Sequence, residues 1–155
     1  MDQNHFLELK IPPPILFLAF AGLSWLLSVT VPWLHFSLPS KLLPLVLISL
    51  GGLFIGPSFW TFVRAKTTIR SDKPSRATKL VVNGVYALTR NPMYLALLFV
   101  LSGWAFYLEN FAALIPHPIF VAYLNRFQIK PEEQALTGLF GQEFEAYTKK
   151  IRRGL

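Results

Sequence analysis

Four stretches of this chain contain no charged side chain: Ile11 to Leu34, Leu42 to Val63, Asn91 to Leu108 and Asn110 to Asn125. They hold roughly 24, 22, 18 and 16 residues, whereas a helix needs about 20 to cross a hydrocarbon layer ~30 Å thick. The first two are long enough to span a bilayer. The third is just long enough, and the fourth, interrupted by Pro116, His117 and Pro118, reaches only about 24 Å as a full helix. Glu109 alone separates the third from the fourth, so the two are expected to form a helical hairpin. A signal peptide explains the first stretch less well, because Pro12 to Pro14 open it and no small-residue cleavage site follows.

Composition supports a membrane protein. Of 155 residues 53% are hydrophobic and only 15% charged, against roughly 25% charged in a soluble domain. The length suits a single domain, 1–155. With no Cys there is no disulfide scaffold, thiolate metal site or cysteine nucleophile. His5, His35 and His117 are scattered without ligand spacing, so no metal is expected. The formal net charge is +7, and its placement is informative. Every Lys and Arg except Lys41 lies before the first span, between the second and third, or after the fourth. The positive-inside rule then puts both termini and the central loop in the cytoplasm, with four crossings. The charge reads as topology and attraction to anionic headgroups rather than as a nucleic-acid signal.

The N-terminal pair, residues 11–63, has no ionisable side chain at membrane depth and reads as scaffold. Its Gly51, Gly52 and Gly56 suit close helix contact. Polar residues gather in two cytoplasmic pieces. Arg64 to Arg90 is a loop with a Lys73-Pro74-Ser75 breaker and an apolar run, Leu80 to Tyr86, containing an Asn83-Gly84 turn. Pro131 to Arg153 reads as one amphipathic helix, with Leu136, Leu139, Phe140, Phe144, Tyr147 and Ile151 at spacings of three and four. The pieces flank the hairpin, so they can meet at its cytoplasmic mouth.

Two constellations stand out. In Arg90-Asn91-Pro92-Met93-Tyr94 the plain reading is an N-cap, a Pro at the first helical position and a boundary Arg. The functional reading is a helix N-terminus, a guanidinium and an aromatic ring that together bind a polar, partly anionic cofactor at the membrane surface. Pro131-Glu132-Glu133 has its own plain reading, carboxylates favoured by the dipole at a helix start. Glu132 and Glu143, eleven residues apart, share a face of a continuous helix. Glu133 instead falls on the stripe of Phe140, Phe144 and Tyr147, a costly place for a carboxylate unless it meets Arg, a hydroxyl or a cationic ligand. No G-x-S-x-G elbow, Walker loop or G-x-G-x-x-G is present. The available chemistry is Arg, Glu, Tyr and backbone at an interface.

In order and spacing, Leu80-Val81, Gly84-Val85-Tyr86, Arg90 to Tyr94, Glu132 to Leu136, Phe140 to Phe144 and Tyr147 closely resemble the C-terminal half of the isoprenylcysteine carboxyl methyltransferase family. The related phospholipid methyltransferases share the broad pattern. The match covers about residues 73–153. It implies an all-α integral membrane enzyme: four transmembrane helices, the last two a hairpin, plus a cytoplasmic amphipathic C-terminal helix. It also implies S-adenosylmethionine as cofactor, held at the cytoplasmic side by Thr78, Lys79, Leu80, Val81, Tyr86, Asn91, Pro92, Met93, Tyr94 and Glu132.

The expected reaction is methyl transfer to a lipophilic or lipid-linked acceptor admitted from the bilayer, most simply a carboxylate, with no nucleic acid or metal as partner. Glu133 and Arg90 are the expected catalytic residues, and Gln128 and Arg126 the expected acceptor contacts. Two positions depart from the family. Gln128 stands where eukaryotic members carry an arginine four residues before the first Glu, and Thr78 where they carry a His before the Leu-Val run. The alternatives are a phospholipid or other amine N-methyltransferase, which would use Glu133 or Glu143 as base, and a non-catalytic membrane protein of the same fold.

Overall fold

A computed structural model describes residues 9–65 and 78–155. The Lys73-Pro74-Ser75 breaker, four basic residues of the central loop and His5 lie outside the described residues. Among those described, the chain is helical and without strands: α1 Pro13–Thr30, α2 Leu42–Ala65, α3 Pro92–Tyr107, α4 Pro116–Tyr123, α5 Lys130–Phe140 and α6 Gln142–Lys150.

Two helices, α1 and α2, are long and apolar enough to cross a membrane. Their apolar side chains face outward: Leu18, Trp25, Leu45, Leu53 and Trp60 are all more than half exposed. A soluble core helix would bury that surface. At 16 residues, α3 is apolar but shorter.

Glycine sets how closely α2 and α3 pack. A Cβ on Gly51 would meet the Val100 side chain and sit 3.0 Å from the Ala96 carbonyl oxygen, while one on Gly103 would sit 2.9 Å from that of Pro44. The helices run antiparallel with their backbones nearly touching, which favours dispersion contacts in lipid. Gly51 fulfils the expected close contact. Gly52 and Gly56 do not, since nothing lies within 4 Å of a Cβ at either. Pro57 interrupts the α2 ladder, and there the hydroxyls of Ser58 and Thr61 donate to the carbonyls of Phe54 (2.6 Å) and Pro57 (2.7 Å).

The fourth charge-free segment does not form one helix. Asn110 accepts from Ala112 N–H and starts a 3-10 turn, Phe111–Leu114, and the α-helix begins only at Pro116. From there helix runs unbroken through a π turn, Leu124–Ile129, into α5. Pro131 therefore does not open a helix at a free N-terminus, contrary to expectation. Lacking an N–H, it leaves the Phe127 carbonyl unclaimed within the helix, and that oxygen accepts from Leu9 N–H at 3.0 Å. The wider π turn lets the rod pass over the proline. Phe20 against Phe120 (5.2 Å between ring centres) and the buried Leu16, Leu101, Phe120, Leu124 and Ile129 pack this rod against α1 and α3.

The single amphipathic helix expected over Pro131 to Arg153 is two helices, broken at Gly141, whose φ of +47° is left-handed and suits glycine. The common face proposed for Glu132 and Glu143 is lost with it. Glu143 is exposed.

Candidate functional site

The returning rod brings α5 back to the N-terminal end of α3. There Tyr94 Oη, one turn into α3, donates to Glu132 Oε2 at 3.0 Å. Tyr94 is buried. Burial is the main influence on Glu132 and pushes its carboxyl up to about 7; the Tyr94 hydrogen bond opposes this and the neighbouring Glu133 charge adds to it. Near neutrality Glu132 is thus poised between its two forms and responds strongly to a cation placed beside it.

Glu133, one residue on, has a different environment. Arg153 approaches as a fork, Nε donating to Oε1 at 3.2 Å and Nη2 to Oε2, while Arg90 Nη1 lies 2.9 Å from Oε1. A carboxylate on the apolar stripe needs a charged or polar partner, and Glu133 meets two guanidiniums. Both oxygens are engaged with cationic donors. The two residues expected to be catalytic, Glu133 and Arg90, are bound to each other.

The loop before α3 supplies the opposite wall. Gly84, at φ +64°, begins a 3-10 turn, Gly84–Ala87, that buries Tyr86 beside the end of α2. Burial first, then the charges of Glu132 and Tyr147, push the Tyr86 hydroxyl upward, with the Ser58 hydroxyl opposing. Tyr147 of α6 donates to the Tyr86 carbonyl at 2.6 Å, and burial pushes its own hydroxyl up to about 12.

The segment after α6 closes the site. Arg90 N–H donates to the Arg152 carbonyl (3.1 Å), and Thr89 Oγ1 (2.8 Å) and Asn91 Nδ2 (3.1 Å) both donate to the Arg153 carbonyl. Asn91 is the N-cap residue of α3, as expected, but its side chain does not cap the helix. Its amide is committed to the tail.

The structure therefore brings together Tyr86, Arg90, Asn91, Pro92, Tyr94, Glu132 and Glu133. Pro92 is buried at the first turn of α3 and Met93 half-buried. Leu80 and Val81 are half-buried in an irregular stretch leading to Tyr86, and Thr78 and Lys79 are exposed at its start. The two expected acceptor contacts both lie on the π turn, Leu124–Ile129. Gln128 is almost fully buried and donates Nε2 to the Ile11 carbonyl at 2.8 Å, leaving Oε1 buried without a partner. The Arg126 guanidinium lies 5.7 Å from the Phe127 ring centre. Sequence reasoning counted Arg153 only as a topological charge and overlooked Thr89 altogether. For Arg153 a signal existed, namely the unpaired carboxylate on the α5 stripe that needed a cation.

With this geometry in view, the comparisons with known proteins are specific. The family model for phospholipid methyltransferases matches residues 40–143, and the chain belongs to that family. A protein of Haemophilus influenzae described as uncharacterized is 43% identical over 63 residues, which are 41% of this chain and all of that protein. The protein-S-isoprenylcysteine O-methyltransferase of Schizosaccharomyces pombe is 29% identical over 87 residues, 56% of this chain and 37% of that enzyme. The match thus spans well under half of the yeast protein. No solved structure matches significantly.

Proposed function

We propose that this chain is a multi-pass membrane methyltransferase that uses S-adenosylmethionine to methylate a lipophilic acceptor, with its site and both termini on the cytoplasmic side. The observation that carries the reading is the Glu132 carboxyl at the α3 entrance, which accepts from Tyr94 Oη, has no ion pair among the described residues and is raised to about 7 by burial. A desolvated carboxylate is costly, and a cationic ligand relieves that cost. Topology rests on the one-sided placement of Lys and Arg, and the outward apolar faces of α1 and α2 supply the lipid contact.

The residues present suit the cofactor. Glu132 would hold its ammonium or hydroxyl groups, Tyr86 and Tyr94 would pack against adenine or the sulfonium, and the α3 entrance from Asn91 to Met93 would line it. When bound, S-adenosylmethionine supplies a methyl carbon already activated by its positive sulfur. The work left to the protein is to align the acceptor with that carbon and exclude water. Glu133, engaged by two guanidiniums, serves as a brace for the site.

The resemblance made a carboxylate the first expectation for the acceptor, and the yeast relative's name describes an O-methyltransferase. A second reading, an amine acceptor, is favoured by Gln128. Its unpartnered Oε1 accepts a hydrogen bond from an N–H and repels a carboxylate, and its donor is already committed to Ile11. The test is calorimetric binding of S-adenosylmethionine to purified protein, followed by transfer of labelled methyl into lipid extracts. An alkali-stable labelled product supports the amine, and an alkali-labile one the carboxylate. Absence of binding by the wild type, with Glu132→Ala and Tyr94→Ala without effect, would sink the enzyme reading and leave a non-catalytic protein of this fold.

A further inference from the structure

Glu133 has two oxygens and faces two guanidiniums, so the cluster carries one positive charge more than Glu133 can neutralise. The geometry says where that charge is available. Arg153 uses its fork, Nε and Nη2, across both oxygens, the arrangement that satisfies a carboxylate most completely. Arg90 contributes Nη1 alone, and its Nε is buried with no hydrogen-bond partner. The Arg90 side chain is only 15% exposed, so water does little to satisfy its remaining donors. Glu132, next to Glu133 in the chain, accepts from Tyr94 Oη and has no ion pair among the described residues.

We infer that Arg153 is a positioning residue: by saturating Glu133 it leaves Arg90 free to receive an anionic group, and beside Glu132 this makes a receptor for an α-amino acid zwitterion. This rests on the cofactor reading above and deepens it. The methionine end of S-adenosylmethionine carries an ammonium and a carboxylate, of which Glu132 takes the first and Arg90 the second. The tail is fixed for the task, because the carbonyls of Arg152 and Arg153 are held by Arg90 N–H, Thr89 and Asn91 at the α3 entrance. Gly154 continues in a left-handed conformation (φ +88°) against Thr89, and Leu155 packs on the core around Tyr94. Without Arg153, Glu133 would draw the Arg90 guanidinium into a fork of its own and withdraw it from the ligand.

The experiment is calorimetric binding of S-adenosylhomocysteine and of its decarboxylated analogue, which keeps the ammonium and lacks the carboxylate. The wild type is expected to prefer the carboxylated compound by about tenfold or more. Arg153→Ala reduces that preference to about threefold or less while affinity for the analogue stays within about twofold. Arg153→Lys, which keeps the charge but not the fork, falls between. Glu133→Ala in the Arg153→Ala background restores the preference, because Arg90 is free again, and a protein that had merely lost its fold could not be rescued by a second deletion. Lys150→Ala, at an exposed position at the end of α6, leaves both affinities unchanged. Equal weakening of both compounds in Arg153→Ala, or a double variant as poor as the single, overturns the inference. A wild type that binds both compounds without preference also overturns it and leaves the cofactor reading standing, whereas a wild type that binds neither removes the cofactor reading itself.

Discussion

The two ends of α3, about 24 Å apart, are built from the same residue types and put them to opposite use. At the C-terminal end Glu109 sits in a left-handed turn (φ 52°) whose carbonyl accepts from Phe36 N–H at 2.8 Å. Its Oε1 accepts from Lys41 Nζ at 2.8 Å and Leu38 N–H at 3.1 Å, and these bonds, Lys41 first, hold its carboxyl below the usual range. Asn110 beside it is buried with both ends of its amide used: Nδ2 donates to the Ser28 and Val31 carbonyls and Oδ1 accepts from Ala112 N–H. Every group in this knot has a partner within the chain, as a structural joint requires. At the N-terminal end Asn91 is likewise committed, but Glu132 is desolvated with its carboxyl raised and Arg90 keeps a buried N–H without a partner. This incomplete satisfaction is what the proposed cofactor site draws on.

That contrast breaks most sharply at Glu132. Replacing it with Ala removes the desolvated carboxyl at the α3 entrance, and calorimetry with S-adenosylmethionine should show affinity falling by about a hundredfold or more, the loss of a desolvated ionic hydrogen bond. The variant's thermal stability should be unchanged or higher. A buried carboxyl with a raised folded value is a burden when ionised, so stability of the ligand-free protein falls as pH rises from the ordinary carboxylate range through about 7. A protein that bound the cofactor equally well without Glu132 would place the ligand elsewhere.

Asn110→Ala should do the reverse. It strands two carbonyls and an N–H in a buried joint, at a cost of about 2–4 kcal/mol by thermal or denaturant unfolding, while the folded fraction binds cofactor as tightly as the wild type. Loss of binding beyond the loss of folded protein would show that the two ends are not independent.

How much of this could be read from the sequence follows the same division. The apolar segments, the close contact at Gly51 and the meeting of the α3 entrance with the Glu132 region were legible, because periodicity and charge placement are local or topological signals. The need of Glu133 for a cation was legible too, but not which cation. Arg153 is one of four basic residues over 149–153, and only the tail's return across Thr89 and Asn91 selects it. Gly103 went unread because a glycine in an apolar run is ambiguous until its partner helix is known. The π turn is a compromise between Pro131 and the packing of the whole rod, and no window of sequence states it. Motif position alone points Gln128 at the acceptor, and it does not state that the amide Nε2 ties the rod to Ile11.

Tyr94→Phe gives a smaller effect with a definite sign. Its hydroxyl is the group that lowers the Glu132 value against burial, with the Glu133 charge pushing the other way. An ionised Glu132 is the form that receives an ammonium, so cofactor affinity rises as pH increases through about 7. Removing the hydroxyl shifts that midpoint to higher pH. At pH 7 the variant should bind several-fold more weakly, a loss of about 1 kcal/mol, with the gap narrowing as the pH is raised. A parallel offset at all pH values would mean that Tyr94 touches the ligand without tuning Glu132.

Lys41→Ala should have the least effect, and its pH dependence runs the other way. The folded value of Glu109 is depressed, so its contribution to stability is present above its unfolded value and is lost as pH falls through the folded one. Lys41 is the largest cause of that depression, but its side chain is 52% exposed, and solvent screens such a pair. The acid limb of the stability profile should become shallower, with little change at neutral pH and none in cofactor affinity. If the acid limb were unchanged, Leu38 N–H and the left-handed turn would be sufficient to hold Glu109 ionised. The far end would then be a joint made by backbone alone.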